Sequence, residues 1–201
     1  MNPIRRPVRA IALRFALTLL SVFFAVFSGL ASAADWQLPA LMKLLAETPA
    51  GRATFVEQKF IGMLDKPVES SGELSFTAPD QLEKRTLKPR PEALLLKGDE
   101  LTLERGKRSM KMSLQEHPEI SAFVESIRAT LMGDQRALER VWKVELDGAP
   151  GRWVLALTPL NASTIVARMR IDGVRGEVRQ IEIEQRDGDR SIMTISKVMA
   201  P

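Results

Sequence analysis

Residues 93–114 decide the fold of this chain, and they read ALLLKGDELTLERGKRSMKMSL. In the last part of this stretch, apolar Met110 and Met112 alternate with polar residues, which is typical of a strand with one face in water. Short turns centred on Gly98 and Gly106 interrupt the pattern twice and predict tight hairpins. Strands joined by such short turns pair in antiparallel order, so this stretch predicts three adjacent antiparallel strands.

The same strand pattern extends in both directions and occupies most of the chain. A sheet of this many strands curls or splits rather than staying flat. We therefore expect an α+β fold in which a strongly curved antiparallel sheet forms an incomplete, half β-barrel that is capped by short α-helices. The predicted strands are residues 53–61, 70–76, 81–87, 93–97, 100–104, 108–114, 142–146, 153–158, 165–171, 178–186 and 190–198.

Three helices are predicted before and between these strands. Residues 38–48 carry leucines at helical spacing, with Pro39 at a position that suits a first helical turn. Apolar residues recur at helical spacing through residues 120–131, and Gly133 separates this second helix from a short third helix at residues 135–140. We expect these helices to lie in the mouth of the incomplete barrel.

The first 33 residues have the pattern of a secretory signal peptide. Four arginines between residues 5 and 14 precede an uncharged apolar run, and Ala31-Ser32-Ala33 supplies the small residues of a cleavage site. We expect a Sec-type signal peptide over residues 1–33, cleavage after Ala33, and a single periplasmic domain over residues 34–201. An uncleaved anchor is the alternative, but a spanning helix needs about 20 apolar residues, and this run is shorter.

Charge and composition argue against several classes of function. The chain has 29 Lys and Arg residues and 25 Asp and Glu residues. Without the four N-terminal arginines the two numbers are equal, so no excess of positive charge remains to bind a nucleic acid. The chain has no cysteine and therefore no disulfide or thiolate metal ligand. We expect no nucleic-acid partner, no metal and no cofactor.

The residue types that catalysis needs are scarce. His117 is the single histidine, cysteine and tyrosine are absent, and neither G-x-S-x-G nor H-E-x-x-H occurs. Glu182 and Glu184 alternate with isoleucines, which marks the wet side of a strand rather than a pair of glycosidase carboxylates. These patterns predict a protein that is not an enzyme and has no catalytic residues, with a lipid hydrolase as a less favoured alternative.

Several weak motifs follow one another in an informative order. After the first helix, ATFVEQK at residues 53–59 is similar to A-x-F-x-Q, and SGELSFTAP at residues 71–79 is similar to G-x-L-x-h-x-x-P, where h is apolar. WVLALTP at residues 153–159 is similar to L-x-L-x-P. In this order the motifs resemble the LolA-like family of periplasmic outer-membrane lipoprotein carriers. The resemblance implies a half-barrel with an apolar cavity for acyl chains.

Departures from the family pattern indicate a divergent branch. Ala78 precedes Pro79 where the carrier has an arginine implicated in lipoprotein release, and Leu82 and Lys84 stand where the carrier has aromatic residues. The resemblance therefore implies a lipid cavity but leaves the standard lipoprotein transfer step open.

The cavity implied by the resemblance would be lined by the apolar faces of the strands and of the second helix. The same apolar stripes also suit a solid core, and a one-residue shift in strand register would exchange the two faces. The predicted lipid-binding residues are Phe55, Leu74, Phe76, Leu82, Leu94, Leu96, Leu101, Leu103, Met110, Met112, Phe123, Ile127, Leu131, Trp153, Leu155, Ile181 and Ile183.

The resemblance implies a carrier that takes an acylated or otherwise lipid-like cargo from an inner-membrane exporter to an outer-membrane acceptor. We expect a monomer that touches membranes only transiently. The alternative is a non-catalytic sensory or protein-binding module of the same fold. A basic cluster follows Pro79 and consists of Lys84, Arg85, Lys88 and Arg90. It could bind an acidic partner or anionic lipid headgroups. Alternatively, it marks an edge strand whose charge prevents aggregation.

Overall fold

The computed structural model describes residues 36–161 and 164–198 of the chain. The predicted signal peptide, with its cleavage site after Ala33, lies outside the described residues and stays a prediction. Within the described residues, no helix is both long enough and apolar enough to cross a membrane.

The described residues form helices and strands in the order that the sequence predicts. The helices are α1 (Leu38–Ala46), α2 (Pro118–Met132) and α3 (Gln135–Glu139), and a short 3-10 helix (Leu114–Glu116) precedes α2. The strands are β1 (Ala50–Phe60), β2 (Val68–Thr77), β3 (Gln81–Lys88), β4 (Glu92–Lys97), β5 (Glu100–Arg105), β6 (Arg108–Ser113), β7 (Trp142–Ala149), β8 (Arg152–Pro159), β9 (Val166–Val174), β10 (Glu177–Gln185) and β11 (Arg190–Lys197).

These strands belong to one antiparallel sheet with the order β6-β5-β4-β3-β2-β1-β11-β10-β9-β8-β7. The first and last of them, β1 and β11, pair at the centre of the sheet, where Phe55 lies opposite Ile195. Strands β6 and β7 stand at the two ends of this order, so the described sheet does not close on itself. The predicted α+β fold with a curved, unclosed antiparallel sheet is confirmed.

Glycines and a capping aspartate fix the ends of several elements. Gly98 and Gly106 adopt positive φ angles, 57° and 61°, in the two predicted hairpin turns. Helix α2 ends at Gly133, whose φ of 66° is the left-handed conformation common just after a helix. The side chain of Asp134 then accepts a hydrogen bond of 2.9 Å from the backbone N–H of Ala137 and caps α3.

One end of the sheet is tightly covered by helices. Strands β7 to β9 form the main hydrophobic core together with α1, α3 and the end of α2, and we call this region the packed half. Trp153, Leu155 and Met169 are completely buried there. The Trp153 ring fits against Gly173, where a Cβ atom would lie 2.1 Å from Cζ2 of the ring. The helices and strands of the packed half therefore leave little free space.

The other end of the sheet carries a smaller core. It contains Leu96 and Leu101 of β4 and β5 together with Leu114 and Val124. Between the two cores lie strands β10, β11, β1, β2 and β3, which we call the open half. Phe123 of α2 packs against both cores, so α2 reaches across the open half.

Candidate functional site

A cavity of about 510 Å³ lies between the open half and α2. Its volume is within the usual range of small-molecule binding pockets, about 300 to 1,000 Å³. Most of its wall is apolar and comes from eight strands, from α1 and α2, and from Ile165 just before β9. The apolar lining residues are Leu45, Ala53, Leu74, Phe76, Leu82, Leu94, Leu96, Leu101, Phe123, Val124, Ile127, Leu131, Ile165, Val166, Ile171, Val178, Ile181, Ile183, Met193 and Ile195.

The residues of β1 explain why this space is empty. Side chains alternate between the two faces of a strand, and β1 directs Gly51 and Ala53 toward the cavity. Ala53 lies opposite Leu74 on β2 and Lys197 on β11. These two small residues leave volume on the inner face of β1 that larger side chains would fill.

Eleven of the seventeen predicted cavity residues lie on its wall. They come from both sides of the open half and from α2, and their role in lipid binding stays a prediction. They are Leu74, Phe76, Leu82, Leu94, Leu96, Leu101, Phe123, Ile127, Leu131, Ile181 and Ile183.

The prediction is wrong for Trp153 and Leu155. Both belong to β8 and are fully buried in the packed half, where α1 and α3 cover the strand. The Trp153 indole N–H donates a hydrogen bond of 2.7 Å to the carbonyl oxygen of Arg175. These two residues therefore stabilise the core and do not reach the cavity.

Four further predicted residues also lie outside the cavity wall. Leu103, Met110 and Met112 share the inner face of β5 and β6 with the lining residue Leu101, but they lie toward the edge of the sheet, and Met110 is 52% exposed. Phe55 is 2% exposed, and the Lys84 ammonium lies 5.0 Å from the centroid of its ring. These four residues therefore lie on the inner face of the sheet without lining the cavity.

Sequence reasoning missed a polar cluster inside the cavity. Glu57 follows Ala53 and Phe55 on the inner face of β1 and is only 5% exposed. Its Oε2 atom lies 2.5 Å from the Lys84 ammonium on β3, and its Oε1 accepts a hydrogen bond of 2.7 Å from the Ser191 hydroxyl on β11. The Ser70 hydroxyl donates to Oε2 at 3.3 Å.

Lys59 completes this group, which we call the Glu57 cluster: Glu57, Lys59, Ser70, Lys84 and Ser191. The Lys59 ammonium is 3.9 Å from Oε1 of Glu57. Burial raises the pKa of Glu57, but the charge and hydrogen bond of Lys84, with help from Ser191 and Lys59, bring that pKa below its ordinary value. The cavity wall therefore carries a charged Glu57 carboxylate at neutral pH, flanked by the side chains of Lys84 and Lys59.

A second polar group lies along the cavity from the Glu57 cluster. The Lys197 ammonium is 2.8 Å from Glu177, and the hydrogen bond from Lys197 lowers the pKa of Glu177 against the opposing effect of burial. Lys197 is paired with Ala53, four residues before Glu57 on β1. At about 3.3 Å per residue, the two polar groups lie roughly 13 Å apart along the strand.

The predicted basic cluster divides between the two faces of β3. Lys84 points into the cavity, whereas Arg85 pairs with Glu83 at 2.5 Å. Strand β3 lies between β2 and β4, so it is not an edge strand. The interpretation of this basic run as a charged sheet edge is therefore wrong. Part of the run is the polar wall of the cavity.

The residues considered for catalysis occupy other parts of the described chain. Glu182 and Glu184 lie on the convex face of β10 beside Arg168 and Arg170, and Glu182 pairs with Arg190 at 2.6 Å. The backbone carbonyl of His117 accepts a hydrogen bond of 2.9 Å from the N–H of Ser121 at the start of α2. Among the described residues, no group of three or more His, Cys, Asp or Glu side chains is placed to hold a metal ion.

A curved, unclosed antiparallel sheet with an apolar cavity under a helix defines a LolA-like half-barrel. The chain belongs to the family described as "Outer membrane lipoprotein carrier protein LolA-like", which it matches over residues 29–197. The resemblance noted from the sequence motifs is thereby confirmed. A comparison with curated proteins gives no match.

Solved structures with a related fold share little sequence with this chain. A LolA superfamily protein from Nitrosomonas europaea is 10% identical, with 82% of this chain and 92% of that chain covered and a TM-score of 0.46. The MucA/MucB complex of Pseudomonas aeruginosa gives 16% identity, coverage of 85% and 59%, and a TM-score of 0.44. The Mycobacterium tuberculosis lipoprotein LppX gives 10% identity, coverage of 81% and 95%, and a TM-score of 0.39.

Proposed function

We propose that this protein is a periplasmic carrier that binds the acyl chain of a lipoprotein or another lipid-like molecule in the cavity of the open half. In this proposal it receives the molecule from an inner-membrane exporter and delivers it to an outer-membrane acceptor. The signal peptide pattern of residues 1–33 supports the periplasmic location. Membership of the LolA-like family supports the transport role. No covalent chemistry is involved.

The observation that carries this proposal is the apolar cavity itself. Each methylene group that leaves water contributes about 0.8 kcal/mol, so a chain of about 16 carbons costs on the order of 13 kcal/mol to hold bare in water. The cavity wall offers apolar side chains on the sheet side and on the α2 side, which can replace most of the membrane contacts of such a chain. A carrier must also release its cargo, and a cavity that is open to solvent permits this.

The first experiment asks whether the purified protein holds and moves lipid. Native mass spectrometry should detect lipid that co-purifies with the protein, and a fluorescent fatty acid should bind and be displaced by unlabelled lipid. The protein should also speed the transfer of a labelled lipid between two vesicle populations. Absence of binding and of transfer would contradict the carrier proposal and favour the protein-binding module.

A cavity-filling variant links the binding to this particular site. Ala53→Phe places a ring on the floor of the cavity and should reduce fatty-acid affinity about tenfold or more, since the ring takes the volume of several methylene groups. Ala156→Phe is the matched control, because Ala156 is also half-buried but alternates with the inward residues of β8 and lies on the other face of the sheet. Equal affinity in both variants would place the binding site elsewhere.

A further inference from the structure

We infer that the Glu57 cluster recognises the carboxylate of a cargo molecule that has a single long hydrocarbon chain. This inference rests on the proposed carrier function and makes it more specific. It assigns a ligand class, a long-chain carboxylic acid, and a role for the two lysines that line an otherwise apolar wall.

The location of the cluster is the first reason. An ion pair in a poorly solvated site loses much of its Coulomb energy to desolvation, and apolar residues of similar volume are often as stabilising. Glu57 and Lys84 nevertheless face the cavity beside Leu74 and Leu82. A wall that only had to bind hydrocarbon would gain nothing from these charges, so they indicate a ligand with a polar end.

The sign of the charge is the second reason. Glu57 supplies one negative charge, whereas Lys84 at 2.5 Å and Lys59 at 3.9 Å supply two positive charges. Of the other charged groups on the wall, Glu83 is paired with Arg85 and Glu177 is paired with Lys197, while Arg52 adds a further positive charge on β1. One positive charge therefore remains in excess at the Glu57 cluster, and it is matched by a ligand group with a single negative charge.

The hydrogen-bonding capacity of the lysines is the third reason. A lysine ammonium has three donors. At 3.9 Å from Glu57, Lys59 is too far for a hydrogen bond to that carboxylate, so this contact leaves its donors available to a ligand. Lys59 is also partly exposed, with 52% of its side chain accessible, and can follow a ligand as it enters.

The volume of the cavity suits one long hydrocarbon chain. A methylene group has about the size of a water molecule, whose share of the liquid is about 30 Å³. A volume of about 510 Å³ therefore accommodates about 17 such groups. That is enough for one long chain.

The experiment compares ligands that share one chain but differ in their end group. Hexadecanoate, methyl hexadecanoate, hexadecanol, hexadecylammonium and hexadecylphosphocholine are titrated by calorimetry into the purified protein, with diphenylhexatriene as an uncharged probe of the cavity. We expect hexadecanoate to bind about tenfold more tightly than the methyl ester and the alcohol. We expect hexadecylammonium to bind most weakly.

Two variants should change hexadecanoate affinity in opposite directions. Lys59→Met removes the excess charge and should weaken hexadecanoate binding about threefold to tenfold, whereas Glu57→Gln leaves both lysines unbalanced and should strengthen it by a similar factor. Methyl hexadecanoate and the uncharged probe should bind equally to both variants and to the unmodified protein.

Lys143→Met is the matched control, because Lys143 pairs with Glu145 on β7 and is similarly exposed. If Glu57→Gln fails to fold, Glu57→Gln combined with Lys84→Met removes the pair as a whole and leaves Lys59, so the preference for the acid should remain. Adding Lys59→Met to this double variant should abolish it.

The possible outcomes separate this inference from the carrier proposal. If the uncharged probe and all five ligands bind with similar affinity and neither variant changes this, the cavity carries hydrocarbon but the carboxylate inference is wrong. Tighter binding of hexadecylphosphocholine than of hexadecanoate would also overturn it, in favour of a phosphodiester head. If neither the probe nor any ligand binds, the carrier proposal itself fails.

Discussion

The packed half and the open half of the sheet follow the same alternation of inward and outward side chains but differ in what lies above them. On β8 the inward residues include Trp153 and Leu155, and helices α1 and α3 press directly on them. On β1 the inward residues include Gly51, Ala53 and Glu57, and α2 crosses above them without filling the space. Alternation therefore tells which face of a strand is inward, whereas side-chain volume and helix position decide whether that face becomes core or cavity wall.

The largest expected effect is a difference between two leucine substitutions. Leu155→Ala should lower the free energy of unfolding by about 3 kcal/mol, because it opens a void in a close-packed core. Leu74→Ala should lower it by only about 1 kcal/mol, because Leu74 already borders an empty space. Urea unfolding of both variants measures the difference. Similar losses would show that the open half is packed as tightly as the packed half.

The same comparison explains how much of the structure could be predicted from the sequence. The strands are defined by local signals, namely turn glycines such as Gly98 and Gly106 and the alternation of apolar and polar residues between the turns. The order and approximate bounds of the strands were therefore predictable. The position of the helices over the sheet depends on contacts between distant parts of the chain. For this reason Trp153 was predicted on the cavity wall, although α1 and α3 bury it.

The Glu57 cluster escaped prediction for a related reason. Ser191 is 134 residues from Glu57 in the sequence, and Lys84 is 27 residues away. No local pattern connects residues at such distances. A signal was nevertheless present in FVEQK, where Glu57 has the same strand parity as the buried Phe55. A charged residue at an inward position of a strand predicts a buried partner of opposite charge.

The next largest effect on stability concerns the buried ion pair between Glu57 and Lys84. Lys84→Met should lower the free energy of unfolding by about 2 kcal/mol, because it leaves the Glu57 carboxylate in a poorly solvated site without its closest counter-charge. Adding Glu57→Gln should restore most of this loss, since the remaining amide carries no net charge. Thermal or urea unfolding of the single and double variants checks this coupling. If the double variant were as unstable as Lys84→Met, the loss would come from the packing of the Lys84 chain instead.

The smallest effect is the pH dependence that Glu57 contributes. Its pKa in the folded protein lies below its ordinary value in an unfolded chain. Its contribution to stability is therefore complete above the ordinary value and is lost as the pH falls through the lower folded value. The stability advantage of the unmodified protein over Glu57→Gln should shrink across that acidic window. Urea unfolding at a series of pH values measures it, and an advantage that grows with acidification would contradict the assigned direction.

The pairing of β1 with β11 has a consequence for how the molecule assembles. These strands are the first and last of the described sheet, yet they lie side by side at its centre, with Phe55 opposite Ile195. Contacts between residues so far apart along the chain require a large loss of chain entropy before they form, which slows folding. We expect hairpins such as β4-β5 to form early and the β1-β11 seam to form last. Since Glu57 lies on β1 and Ser191 on β11, a nascent polypeptide has neither a complete cavity floor nor a complete Glu57 cluster until β11 has been synthesised.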